Sequence, residues 1–233
     1  MALILNIETA TSVCSVALAK DGKLLALKEI NEGKTHGEVL TLFIQDVFKE
    51  ALFSFPELDA VAVSKGPGSY TGLRIGVSTA KGLCYALGKP LIGINTLQHL
   101  SLSLSHGKDS GEVLFCPMID ARRMEVYTAL FDSGNNFFRE TSADIIDENS
   151  YSDILAQHKV IFFGDGSGKC KEKLDLHPNA IFIDDIFPSA KNMTALSETA
   201  FQKKQFEDIA YFEPYYLKDF VGNVAKKTIS PYF

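Results

Sequence analysis

The order of elements in the first hundred residues comes round a second time. That recurrence restricts the fold more than any single motif. In the first half, Leu3 to Ile7, Val13 to Ala19 and Lys23 to Ile30 are apolar runs of strand length. Asp21-Gly22 between the last two is a two-residue hairpin signal. After the polar loop Asn31 to His36 with Gly33, a helix over 35–52 is predicted from Val39, Leu40, Phe43, Ile44, Val47, Phe48, Ala51 and Leu52, spaced by threes and fours. Leu58 to Val63 is a strand, a glycine-rich turn follows, and 73–87 is a second helix. Pro90 to Ile94 is a strand, and Thr96 caps a short helix to Ser105.

His106 to Gly111 is a polar break, taken as the domain boundary. Beyond it come strands at Val113 to Ile119, Met124 to Phe131 and Phe137 to Glu140, with Asp132 to Asn135 as a turn. A helix follows within Ile145 to Ala156, then a strand at Val160 to Phe163 and a turn, Gly164 to Lys169, opening a helix. A strand at Ala180 to Ile183 and a helix over Met193 to Gln205 end the series. The expectation is an α/β protein of two similar subdomains with mixed sheets, 1–105 and 106–233. Each is an antiparallel meander leading into parallel strands with helices on the faces. A ligand cleft would lie between them, where the strand-to-helix turns converge.

The first of those turns is Ser64-Lys65-Gly66-Pro67-Gly68-Ser69-Tyr70-Thr71-Gly72. Its glycines permit positive φ and close approach of a backbone or an anion. Ser69 and Thr71 are both competent N-caps, and the free amides of a helix start attract negative charge. The Walker A spacing is absent. Two readings stand: a turn that packs helix on strand, or a site that holds phosphate through Gly66, Gly68, Ser69 and Thr71. Thr9, Thr11 and Ser12 crowd the link between the first two strands and could add hydroxyls and amides to such a site; the same residues could equally cap their own turn. Glu8 and Asp120 end the first strand of each half, where a magnesium-nucleotide cleft would want carboxylates. Gly164 and Gly166 complete the set from the second half.

Other chemistry is poorly supplied. No two of His36, His99, His106, His158 and His177 stand four apart, so no helix face offers a metal-binding pair. Each is expected at the surface or in a local hydrogen bond. No Gly-x-Ser-x-Gly elbow lies at a strand-to-helix turn. Cys14, Cys84, Cys116 and Cys170 are scattered among apolar residues and read as reduced thiols of a cytoplasmic protein. No catalytic residue and no metal ligand is assigned. A net charge of −6 argues against holding nucleic acid unaided. No apolar run is long enough for a membrane span, and the N-terminus reads as a first strand rather than a signal peptide.

Four blocks resemble the TsaB family, also called YeaZ: Ile7-Glu8-Thr9-Ala10-Thr11, Lys65 to Gly76, Ile119-Asp120-Ala121-Arg122-Arg123-Met124-Glu125-Val126-Tyr127, and Glu213-Pro214-Tyr215-Tyr216-Leu217. The resemblance implies the actin-like, hexokinase-like ATPase fold. It also implies a bacterial, cytoplasmic, non-catalytic subunit in making threonylcarbamoyl-adenosine in tRNAs that decode ANN codons. Such a subunit supports a TsaD-like transferase in a larger assembly with a TsaE-like ATPase, meets tRNA only through that complex, and pairs with itself when alone. TsaD carries Asn-His-x-Glu-Gly-His after a Pro-Leu strand, and its two histidines bind metal. The matching stretch here is Asn95-Thr96-Leu97-Gln98-His99-Leu100, with Thr96 and Leu100 at the ligand positions. Those two cannot replace imidazoles, so any metal is expected on the partner alone, and ATP or ADP binding stays open.

The family pairs through its first helices, which places an interface on 35–52 and 73–87. Leu40, Phe43, Ile44 and Val47 make a stripe wider than one core should need, and Gly76 and Ala80 would admit a second helix. The last segment, about 211–233, is expected to pack back on the first subdomain. Two other readings compete: an active small-molecule or acyl kinase on the same fold, and a metal-dependent glycoprotease, which lacks its metal site.

Overall fold

Two five-stranded sheets carry the chain, and a computed structural model describes it over residues 2–32, 36–105 and 113–218. Gly33 and Thr35, the break His106 to Gly111 and the tail from Asn223 with Lys226-Lys227 lie outside the described residues. The first sheet holds β1 (Leu3–Glu8), β2 (Cys14–Lys20), β3 (Lys23–Ile30), β4 (Ala60–Gly66) and β5 (Leu91–Asn95), in the order β3-β2-β1-β4-β5. The second holds β6 (Val113–Asp120), β7 (Glu125–Phe131), β8 (Phe137–Ile145), β9 (Lys159–Phe163) and β10 (Ala180–Ile183), in the order β10-β9-β6-β7-β8. In each, the first strand pairs antiparallel with the second and parallel with the fourth. The repeated order is that of the actin-like ATPase fold.

β1 and β2 are buried almost throughout because both faces of their sheet are covered. On the outer face, Leu3, Leu5, Ile7, Val61 and Val63 pack against α1 (His36–Ala51) and α2 (Tyr70–Leu87). Leu40, Ile44, Val47 and Phe48 of α1 all turn inward, and Phe43 is half-buried against the same core. The stripe expected to exceed one core is therefore filled by it. α1 lies across β2 and β3 and also touches α2, so two neighbours share its apolar arc. α2 starts earlier than position 73, because Ser69 Oγ accepts from Gly72 N at 3.3 Å and makes Ser69, not Thr71, the cap. It ends on Gly88 at φ 64.

The inner faces exchange their covers. α3 (Thr96–Ser105) follows β5, yet Leu97 and Leu100 sit among Phe115, Ile119, Ala129 and Phe163 of the second sheet. Its cap is Asn95, whose Oδ1 accepts from Leu97 N at 2.9 Å and Gln98 N at 3.2 Å, rather than Thr96. Conversely the 3-10 turn Ala190–Met193 and α6 (Thr194–Gln202) come after the second sheet but rest on Ala2, Ile4, Ala17, Ala60 and Ala62 of the first. The small alanines let this helix approach closely. The return to the first sheet thus begins about Ser189, some twenty residues before 211. It continues through a bridge from Leu91 to Glu207 and a bond from Tyr215 N to Lys65 O at 2.6 Å.

The second half is more reduced than expected on its outer face. The turn after β9 opens only a 3-10 turn (Gly168–Cys170) and α5 (Lys171–Leu174), since Pro178 follows closely and cannot continue a helix. The expected helix within 145–156 shrinks to α4 (Ser152–Leu155), because β8 runs on to Ile145.

Candidate functional site: the cleft between the halves

A cleft of about 1070 Å³ opens where the ends of β1 and β6 face each other. Thr11, Ser12, Gly68, Ser69 and Thr71 line one wall, and Asp120, Arg122, Arg123, Glu125 and Asp165 the other. Tyr215 to Lys218 run across it. Glu8, Thr9, Gly66, Gly164 and Gly166 do not line it, and each has a different employment.

Glu8 lies wholly inside the protein. Its Oε1 accepts from Ala10 N, and its Oε2 lies 2.5 Å from Nε2 of His99, also fully buried. A carboxylate and an imidazole thus lie side by side at zero exposure, while Glu8 Oε2 and both ring nitrogens of His99 make no hydrogen bond among the described residues. His99 was expected at the surface or in a local bond; it instead reaches back from α3 to β1. Thr9 also points inward, and its Oγ1 donates to Gly72 O at 2.8 Å. The turn glycines explain themselves on the same geometry. A Cβ on Gly68 would overlap the Ala10 carbonyl oxygen, one on Gly72 the Thr9 carbonyl oxygen, and one on Gly76 the Thr9 Oγ1. Gly66, at φ 110, would press a Cβ to 2.8 Å from Tyr215 O. The close approach they permit is therefore made by the chain's own backbone. Ser69 N spends its hydrogen on Ala10 O at 2.6 Å.

The second half repeats the device. Gly166 packs on Ile119, with a Cβ there falling 2.8 Å from the Ile119 carbonyl carbon, and Gly164 at φ 100 packs on Met118. Asp120 differs from Glu8 in standing half-exposed. Its Oδ1 accepts from Lys169 Nζ and from Arg122 N at 2.8 Å. Lys169 Nζ donates also to Glu125 O at 2.6 Å, and Lys218 Nζ pairs with Glu125.

Four groups sequence reasoning missed thus hold the site: His99, Lys169, Ser64 and the strap 215–218. Ser64 Oγ accepts from Thr9 N at 3.4 Å. On the strap, the Tyr216 ring lies 5.1 Å from that of Tyr70. The advance signals were the Glu213 to Leu217 block and the expected return of the last segment to the first subdomain. Of the interface set, Leu40, Ile44, Val47, Gly76 and Ala80 are buried in the subunit, so they are not free for a partner. The outward residues of these helices include Leu42, 55% exposed, Tyr85, 86% exposed, and the small Ser78, Gly82 and Ala86, beside the charged Glu38, Asp46, Lys49, Glu50 and Arg74. Burial pushes the thiols of Cys14, Cys84 and Cys170 to about 11 and that of Cys116 to about 12, with the Glu8 charge adding to Cys14. None is a thiolate at neutral pH. Among the described residues no group of three or more His, Cys, Asp or Glu could hold a metal ion, and no helix is long and apolar enough to cross a membrane.

The family described as "TsaD: tRNA N6-adenosine threonylcarbamoyltransferase" matches residues 31–226. The tRNA threonylcarbamoyladenosine biosynthesis protein TsaB of Escherichia coli is 29% identical over 231 residues, covering 97% of both chains. That of Buchnera aphidicola is 31% identical over 198 residues, 80% of this chain and 91% of its own. The structure of YeaZ from Pseudomonas aeruginosa superposes with a TM-score of 0.80 at 24% identity, over 93% of this chain and all of the other. Sequence and fold agree that this chain belongs to the TsaB (YeaZ) family, within the wider family that the TsaD threonylcarbamoyltransferase pattern describes.

Proposed function

We propose that this chain is a non-catalytic subunit in forming threonylcarbamoyl-adenosine in tRNA, and that it acts by binding and supporting a TsaD-type transferase. One observation carries the reading: each carboxylate that ends a first strand is met by another group of the chain itself. Glu8 is buried against His99 and the Ala10 amide, and Asp120 is held by Lys169. Glu8 is thereby out of reach of a magnesium ion in the cleft, and Asp120 would meet one only in competition with Lys169. At the positions of the transferase's metal ligands stand Thr96, which begins α3, and Leu100, which packs on the second sheet. The metal and the transfer chemistry belong to the partner.

The contact surface is the outward side of α1 and α2. Ser78, Gly82 and Ala86 recur every four residues on α2, and a partner helix could come close along them, flanked by Tyr85 and Leu42. A second copy would take the same place when the partner is absent. Phe43 belongs to the subunit's own core, so Phe43→Glu would confound folding with pairing. Gly82→Glu is the cleaner change, since no atom lies within 4 Å of a Cβ there.

The test is co-purification with the TsaD-type subunit of the same organism, then assay with tRNA, ATP, magnesium, a threonylcarbamoyl donor and the TsaE-type ATPase. Both subunits together should support the modification, the chain alone should neither transfer nor turn over ATP, and Gly82→Glu should abolish pairing with the fold intact. Turnover of ATP by the isolated chain would establish the kinase reading instead. The hydroxyl lining of the cleft favours a second, compatible reading, ADP held without turnover. Calorimetry with ADP on the isolated chain decides it.

A further inference from the structure

We propose that Arg122 and Arg123 form a phosphate-gripping finger that receives the tRNA backbone in the assembled complex; this rests on the function proposed above. The two residues lie in the four-residue link from β6 to β7, at the mouth of the cleft. Ala121 N donates to Glu125 O and Glu125 N to Arg122 O, both at 3.1 Å, so the link is a defined turn. Arg122 has φ 71 and Arg123 φ 49. This left-handed region suits glycine and asparagine and penalises other side chains. A chain that needed only to reverse direction here would be better served by those residues. What arginine adds at this cost is its side chain.

Both side chains are exposed, and among the described residues neither guanidinium has a hydrogen bond or ion pair. Their neighbours differ: Lys169 is committed to Asp120, and Lys218 to Glu125. These lysines pair with Asp120 and Glu125, and Asp165 accepts from Asp120 N, so the two arginines add positive charge to this wall of a molecule of net charge −6. A guanidinium fork matches phosphate oxygens, and two such forks on a projecting turn suit a chain of phosphates. Two contacts are too few to hold tRNA unaided against the overall acidity, which fits a surface that works only within a complex.

The test uses the complex with the TsaD-type subunit and a tRNA transcript, measuring affinity over a range of salt. Arg122→Asn/Arg123→Asn removes both charges and suits the backbone; Arg122→Lys/Arg123→Lys keeps the charges. The asparagine pair should melt no lower than the parent and bind the partner subunit equally. Its tRNA affinity should fall about tenfold at physiological salt, with the slope of log affinity against log salt reduced by roughly two. The lysine pair should keep most of the affinity. Unchanged tRNA affinity and slope in the asparagine pair would overturn the proposal. So would a loss confined to partner binding or to ADP binding, which would make the finger a protein contact or a nucleotide contact. If the parent chain forms no complex at all, the function proposed above falls first, and this proposal with it.

Discussion

The two halves share a strand order but end their first strands differently. Glu8 closes β1 inside the protein, against His99 and the Ala10 amide. Asp120 closes β6 half in solvent, against Lys169 and the Arg122 amide. The same topological position has become part of the interior in one half and part of the surface in the other. The difference shows that one strand order accommodates a buried and an exposed carboxylate at the same place. One carboxylate is drawn into the core, and the other is neutralised by a lysine.

Breaking each pair should measure that contrast. His99→Leu would leave Glu8 buried without its partner. The expected loss is about 3–5 kcal/mol, read by urea unfolding, because an uncompensated buried charge is costly. A change under 1 kcal/mol would mean that the pair is not a structural element. Next in size is the backbone contact beneath the turn. Gly72→Ala would drive a Cβ into the Thr9 carbonyl, at a cost of about 1–3 kcal/mol. Gly82→Ala on the open face of the same helix should stabilise by about 1 kcal/mol. Equal effects at the two glycines would refute the packing of turn on link. The smallest change is Lys169→Ala in the second half. Asp120 is half-exposed, and such pairs contribute at most about 1 kcal/mol. A loss as large as that of His99→Leu would erase the distinction between the halves.

The parts of the fold legible in the sequence are those with local causes. Alternating and continuous apolar runs marked nine of the ten described strands to within three residues, whereas β8 runs five residues past its expected end, and Asp21-Gly22 marked its hairpin. The glycines of the first turn were visible as permission for close approach, but not what approaches: Ala10 and Thr9 lie about sixty residues away. His99 and Glu8 are likewise ninety residues apart, and nothing local distinguishes a histidine that reaches a distant strand from one at the surface. The stripe on α1 was visible too, but its width was misjudged because periodicity does not reveal that α2 shares the covering. The irregular return from Ser189 to Leu217 is held by backbone bonds such as Tyr215 N to Lys65 O and by caps such as Lys81 Nζ on Phe212 O at 3.0 Å. Such bonds leave no hydrophobic period to read. In the site, the walls of the cleft were foreseen at Thr11, Ser12, Gly68, Ser69, Thr71 and Asp120. The internal partners that occupy the remaining groups were not.

The crossed placement of α3 and α6 has a consequence for how the molecule can come apart. Each sheet is sealed by a helix encoded in the other half of the chain, so neither half carries a finished interior. The halves are clasped like two hands with interlaced fingers. Expressed as separate pieces, 2–105 would expose the inner face of β1, β2 and β4, and 113–218 that of β6, β7 and β9. Each fragment alone is an aggregation hazard, yet each holds the part that the other lacks. The same interlacing limits how far the cleft can gape, since any wide opening must pull a helix out of a core.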